Sequence, residues 1–106
     1  KAFEIAKQYY NTGDYIAAIA SFDNFLGEYL GSSYKENVLY LKFMASYKLA
    51  INSYFLKKET RLKDAVKAHE KFKRNFPESE NLKETEELLN ELNNEINIFI
   101  AQKTEN

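Results

Sequence analysis

The stretch Ala6–Leu26, "AKQYYNTGDYIAAIASFDNFL", decides the fold. Ahead of Gly13, the residues Ala2, Ile5, Ala6 and Tyr9 recur at helical spacing, with Lys7 and Gln8 between them. Gly13 supplies the left-handed backbone that ends a helix at little cost, and the Asp14 carboxylate can accept the free amides of a following first turn. Beyond it, Tyr15, Ala18, Ile19, Phe22, Phe25, Leu26 and Tyr29 fall on one broad face of a second helix. The pattern predicts two antiparallel helices, with Ala18 small enough to let them approach closely.

Working outward, "GSS" at 31–33 breaks the second helix, and Ser33 with Glu36 has capping-box spacing. A third helix is expected over 34–58. Its polar positions Lys35, Lys42, Ser46, Ser53 and Lys57 form a narrow stripe, as in a helix with neighbours on most sides. A fourth runs over 61–76 and stops before Pro77, because a residue preceding proline is pushed out of the helical region. Ser79 can cap a fifth, whose apolar stripe is Leu82, Thr85, Leu89, Leu92, Ile96 and Phe99. No strand pattern survives, so the fold class is all-α.

The chain also matches itself. Shifted by 47 residues (Phe72 against Phe25), Ala18 meets Ala65, Ile19 meets Val66, Phe22 meets His69, Tyr29 meets Phe76 and Ser32 meets Ser79. Tyr9 pairs with Tyr47 provided that about nine extra residues follow Ile51. Two helical hairpins with a closing helix form a short solenoid, each unit burying its face on the next. The expected division is a first repeat over 1–31, a second over 32–77 with an extended hairpin, and a capping helix over 79–104.

Composition narrows the function. The 106 residues carry 15 basic and 16 acidic side chains, a net charge of −1, which argues against a general grip on nucleic acid. The run "KKETRLKDAVKAHEKFKR" is broken by Glu59, Asp64 and Glu70 and reads as a solvated helix face. Cysteine is absent, which removes disulfides, thiolate nucleophiles and zinc–thiolate sites. No apolar run reaches the ~20 residues that span a bilayer. The chain opens on Lys1 with no Met, and the expectation is an excised or processed piece of a longer protein.

Catalysis finds little support. His69 is the only histidine and stands where the sister repeat has Phe22, so it reads as a packing or hydrogen-bonding residue. Glu84, Glu86, Glu87, Glu91 and Glu95 suit the soluble outer face of a capping helix better than a metal or acid–base site. No phosphate loop or nucleophile triad is present. The expectation is a non-enzyme with no cofactor and no metal.

Ala6, Tyr9, Gly13, Ala18, Phe22 and Phe25 fall where the tetratricopeptide repeat has its characteristic residues, which the chain therefore resembles. The second unit keeps the family's proline as Pro77, while Leu30 and Thr60 depart from the pattern. In such repeats the first helix of each hairpin lines a concave surface. That resemblance selects Phe3, Lys7, Tyr10, Leu41, Ala45 and Lys48 as candidate contacts. Lys57, Lys58 and Arg61, at the expected tip of the inserted hairpin, are a second candidate patch.

A closer likeness runs through "YYNTGDYIAAIASFDNFLGEYLGSSYKENVLYL", "SYKLAINS", "KKETRLKDA" and "FKRNFPES". These segments resemble the carboxy-terminal half of the BamD (YfiO, ComL-type) family, above all its Bacteroidetes-type versions. The resemblance implies a scaffold of outer-membrane β-barrel assembly that docks periplasmic domains of a BamA-type protein. It further implies a position on the periplasmic side of the outer membrane, held by an N-terminal lipid anchor outside this stretch. The alternative is another periplasmic repeat adaptor that binds peptides or coordinates envelope proteins; an envelope-hydrolase domain is the third reading.

Overall fold

In the computed structural model, which describes residues 1–105, five helices follow one another: α1 (Ala2–Asn11), α2 (Tyr15–Glu28), α3 (Lys35–Ile51), α4 (Phe55–Asn75) and α5 (Leu82–Glu105). Among the described residues there is no strand, and the all-α, tetratricopeptide-like array is as expected. Each helix packs on the next, and α3 also touches α1 and α5, so the three odd-numbered helices lie side by side.

The opening turn is built by Gly13 and Asp14. Gly13 sits at φ +84°, the region that favours glycine. Its N–H donates to Tyr10 O (3.1 Å) and that of Asp14 to Tyr9 O (2.9 Å), the two bonds of a Schellman ending. The Asp14 carboxylate then accepts the Ala17 N–H at 3.2 Å, starting α2. Behind the turn, Ala6 and Ala18 are fully buried, which lets α1 and α2 close on each other.

The core has two joined parts. Phe22, Phe25, Val38, Leu39 and Phe72 centre one, and Phe43, Leu62, Ala65 and Leu92 centre the other. Phe22, Phe43 and Phe72 are wholly buried, each worth roughly 1.5–3 kcal/mol relative to exposure.

The 47-residue shift is repeated bond for bond in the turns after α2 and α4. Tyr29 N–H donates to Phe25 O and Phe76 N–H to Phe72 O, both at 2.9 Å. Ser32 Oγ accepts the Tyr34 N–H at 3.0 Å, and Ser79 Oγ accepts that of Asn81 at 3.2 Å. Lys35 N–H to Ser32 O and Leu82 N–H to Ser79 O are both 3.2 Å. The helix-ending residues Tyr29 (φ −121°, ψ 60°) and Phe76 (φ −137°, ψ 67°) share one conformation. Leu30 thus follows the same path as Pro77, and proline is not needed to end this helix.

Three expectations are corrected. The third helix stops at Ile51, not 58. Asn52 Nδ2 and Ser53 Oγ donate to Lys48 O (2.9 Å) and Leu49 O (2.6 Å), satisfying carbonyls of the last turn from the side. Tyr54 is then extended (φ −66°, ψ 156°) and α4 starts at Phe55, so the insertion lengthens the second arm of the hairpin. The Ser33–Glu36 capping box does not form, because Ser32 takes the turn amide and Tyr34 caps α3 with no side-chain bond. Finally, the α1 face is rotated: Ile5 and Tyr9 are 52% and 39% exposed, while Phe3, Ala6 and Tyr10 turn inward.

Candidate functional site

The odd-numbered helices present the first candidate surface. On it the Lys48 ammonium of α3 lies 4.9 Å from the ring centre of Tyr10 in α1 and 6.0 Å from that of Tyr15, a cation–π arrangement that holds the charge over aromatic faces. Hydrogen bonding to Tyr10, opposed by partial burial, raises the Lys48 pKa. Tyr10 in turn packs at a tilt on Tyr15, ring centres 5.8 Å apart. Farther along, Tyr40 and Tyr47 of α3 donate to Glu84 (2.6 Å) and Glu91 (2.8 Å) of α5. Burial first, then these carboxylates, push both phenols up to about 12. The two bonds fasten α5 to the array while exposing part of each group.

The other residues selected from the sequence have different surroundings. Lys7 is exposed on α1, its ammonium 6.0 Å from the Phe3 ring centre. Phe3 stacks on Tyr34 at 4.9 Å and leans on Phe25, so most of its ring is used internally. Leu41 is half-buried against the first core cluster. Ala45 is fully buried and belongs to the core, because α3 has neighbours on three sides.

Lys57, Lys58 and Arg61 lie on the first two turns of α4, past the tip where the sequence pattern put them. Lys57 is exposed. Lys58 reaches Glu95 of α5 at 3.5 Å, and Arg61 donates to Ser53 Oγ at 2.9 Å. The last two are thus partly committed inside the molecule. The tip itself is Tyr54, Phe55 and Leu56.

Sequence reasoning missed a groove of about 700 Å³ between α2 and α4, floored by α3. Ile16, Ile19 and Leu49 supply apolar lining, Lys67, Lys71 and Arg74 line the α4 side, and a 2.6 Å Lys42–Asp23 ion pair crosses from floor to wall. The i, i+4, i+7 spacing of those α4 cations was the available signal. The groove depends on the spacing of two helices far apart in sequence, which no local pattern reveals.

His69 has no access to a substrate. It is 1% exposed, its Nε2 lies 3.0 Å from Thr85 Oγ1, and its ring stands edge-on to Phe43 at 5.1 Å. Burial lowers its pKa, so it packs as a neutral imidazole near pH 7. Among the described residues no group of three His, Asp or Glu side chains is placed to hold a metal ion, and no helix is long and apolar enough to cross a membrane.

The family model described as an outer membrane lipoprotein, YfiO, matches residues 1–101. The chain belongs to the YfiO family. No curated protein matches it closely enough to add a relative. Family membership associates the protein with the outer membrane, and the tetratricopeptide-like array gives it fixed helix faces.

Proposed function

We propose that the chain is a non-catalytic scaffold of outer-membrane β-barrel assembly. In this reading it works on the periplasmic side and docks periplasmic domains of a BamA-type subunit. The observation that carries the reading is the family match over 1–101, nearly the whole chain. Its mechanism is rigid display. Tyr10 and Lys48 are held against each other across α1 and α3, so a partner immobilises few side chains on binding. An aromatic face with a cation at its edge has the composition of an interface anchor. Lys7, Leu41 and Lys57 lie on the same two helices or on the neighbouring helix start and complete the proposed contacts with Lys58 and Arg61.

The test is a pull-down from a detergent-solubilised outer-membrane extract with this chain as bait. Recovery of a BamA-type protein that is lost in Tyr10→Ala/Lys48→Glu assigns the interface to the α1–α3 face. Recovery lost instead on charge reversal at Lys57, Lys58 and Arg61 assigns it to the start of α4. Failure to recover any barrel-assembly component removes the reading.

A further inference from the structure

The α3–α4 tip carries three consecutive large apolar residues in the open. Tyr54 is 85% exposed, Phe55 56% and Leu56 93%. Such a run at a turn is a standing cost unless something covers it. The tip is also firmly built. Asn52 and Ser53 bond back onto α3, Arg61 clamps Ser53 from α4, and Lys57 N–H donates to Tyr54 O at 3.0 Å. The Phe55 ring rests on Phe99 of α5, centres 4.8 Å apart. Polar groups of the turn are therefore satisfied inward, and the apolar side chains are left pointing out.

Most carboxylates near this end are already taken by lysines. Glu59 is bridged by Lys63 and Lys103, both at 3.0 Å, and Glu95 by Lys58. Among the described residues, neither Lys57 nor Arg61 has a carboxylate within ion-pair distance. An aromatic with a polar hydroxyl, two apolar side chains and a long cation in sequence are the chemistry of a bilayer boundary. There the rings sit at headgroup depth and the lysine stem lies along apolar surface with its charge on the phosphates. The chain belongs to a family of outer membrane lipoproteins, proteins that work beside a lipid surface.

We propose that Tyr54, Phe55 and Leu56 form a prong that enters the headgroup layer of a negatively charged bilayer surface, with Lys57 on the lipid phosphates. The prong rests on the exposed tip and on family membership, and it shares only Lys57 with the scaffold contacts proposed above. A chain can bind a barrel-assembly protein with or without it.

The protein contains no tryptophan, so Leu56→Trp places a single reporter on the prong. Leu30→Trp, at a site 75% exposed in the α2–α3 turn at the other end of α3, is the control. Each is mixed with vesicles of phosphatidylethanolamine and phosphatidylglycerol, or of phosphatidylcholine alone. The expected result is a blue-shifted emission, quenched by brominated acyl chains, for Trp at 56 and not at 30, and stronger on the anionic vesicles. Lys57→Ala should weaken that binding about fivefold, the share of one lysine near an anionic surface. Tyr54→Trp repeats the measurement two residues away, and circular dichroism confirms that each variant is folded. Unmoved emission from both prong reporters at millimolar anionic lipid overturns the proposal, as does an equal shift at position 30. A shift produced by solubilised envelope proteins but not by lipid also overturns it and gives the prong to a protein partner.

Discussion

His69 and Thr85 occupy, in the second half of the chain, the places that Phe22 and Val38 occupy in the first. All four are at most 1% exposed, so the two halves solve the same packing problem with one polar and one apolar pair. The Thr85 hydroxyl has one proton and two neighbours, His69 Nε2 at 3.0 Å and Leu82 O at 3.2 Å. Thr85→Val keeps the shape but leaves Nε2 buried without a partner, which should cost about 1–3 kcal/mol. For a domain of this size each kcal/mol lowers the melting temperature by roughly 4–8 °C. His69→Phe leaves Thr85 its bond to Leu82 O and should cost under about 1.5 kcal/mol, the range of shape-conserving core swaps. The double variant copies the first pair into the second site and should be more stable than Thr85→Val alone. A double-mutant cycle of urea or thermal unfolding at pH 7.5 measures the coupling. The pH dependence adds a second check. The folded pKa of His69 is depressed by burial, below an unfolded value of about 6.5. Its contribution is therefore fully present above pH ~6.5 and is lost as pH falls from there through the folded pKa. That acid slope should vanish in His69→Phe. A cycle with no coupling and an acid slope unchanged in His69→Phe would refute the packing role.

Two other outcomes follow from the core and from α5. Ala18 and Ala65 are both fully buried where neighbouring helices approach closely, so Ala18→Leu or Ala65→Leu should each destabilise by roughly 1–3 kcal/mol through overpacking, read by thermal melting. A change within 0.5 kcal/mol (about the spread of neutral surface substitutions) would contradict that geometry. Tyr40 and Tyr47, pushed up to about 12 by burial and by Glu84 and Glu91, should ionise last in an ultraviolet titration. Because their folded pKa values are raised, their contribution is fully present below pH ~10 and is lost as pH rises toward 12. Ordinary titration of both near 10 would show that α5 is not fastened this way.

The 47-residue repeat was readable because its markers, the helix-packing pairs Ala18/Ala65 and Phe25/Phe72 and the turn pair Ser32/Ser79, all keep one register. Ser32 and Ser79 bond the same relative amides, and Phe25 and Phe72 the same relative positions, so local chemistry carried the register. The end of α3 was less legible. "AINSYFLKK" is apolar on helical spacing throughout, and only the back-bonding of Asn52 and Ser53 shows that the helix has stopped. On α1 the spacing pointed to the stripe with Ile5 and Tyr9, whereas the face with Phe3 and Tyr10 turns inward because Tyr34, Tyr15 and Lys48 receive those rings. Ala45 was placed on a groove by family position, yet α3 is an inner helix and closes over it. The α2–α4 groove and the outward turn of Tyr54–Leu56 depend on how distant helices are spaced, which no window of sequence records.

The most direct measurement is a titration of the purified periplasmic domains of the source bacterium's BamA-type protein into this chain, followed by calorimetry or anisotropy. The scaffold account predicts saturable binding that survives Leu56→Ser and falls at least tenfold in Tyr10→Ala/Lys48→Glu or in the Lys57, Lys58 and Arg61 reversal. A folded chain that shows no saturable binding to those domains would contradict it.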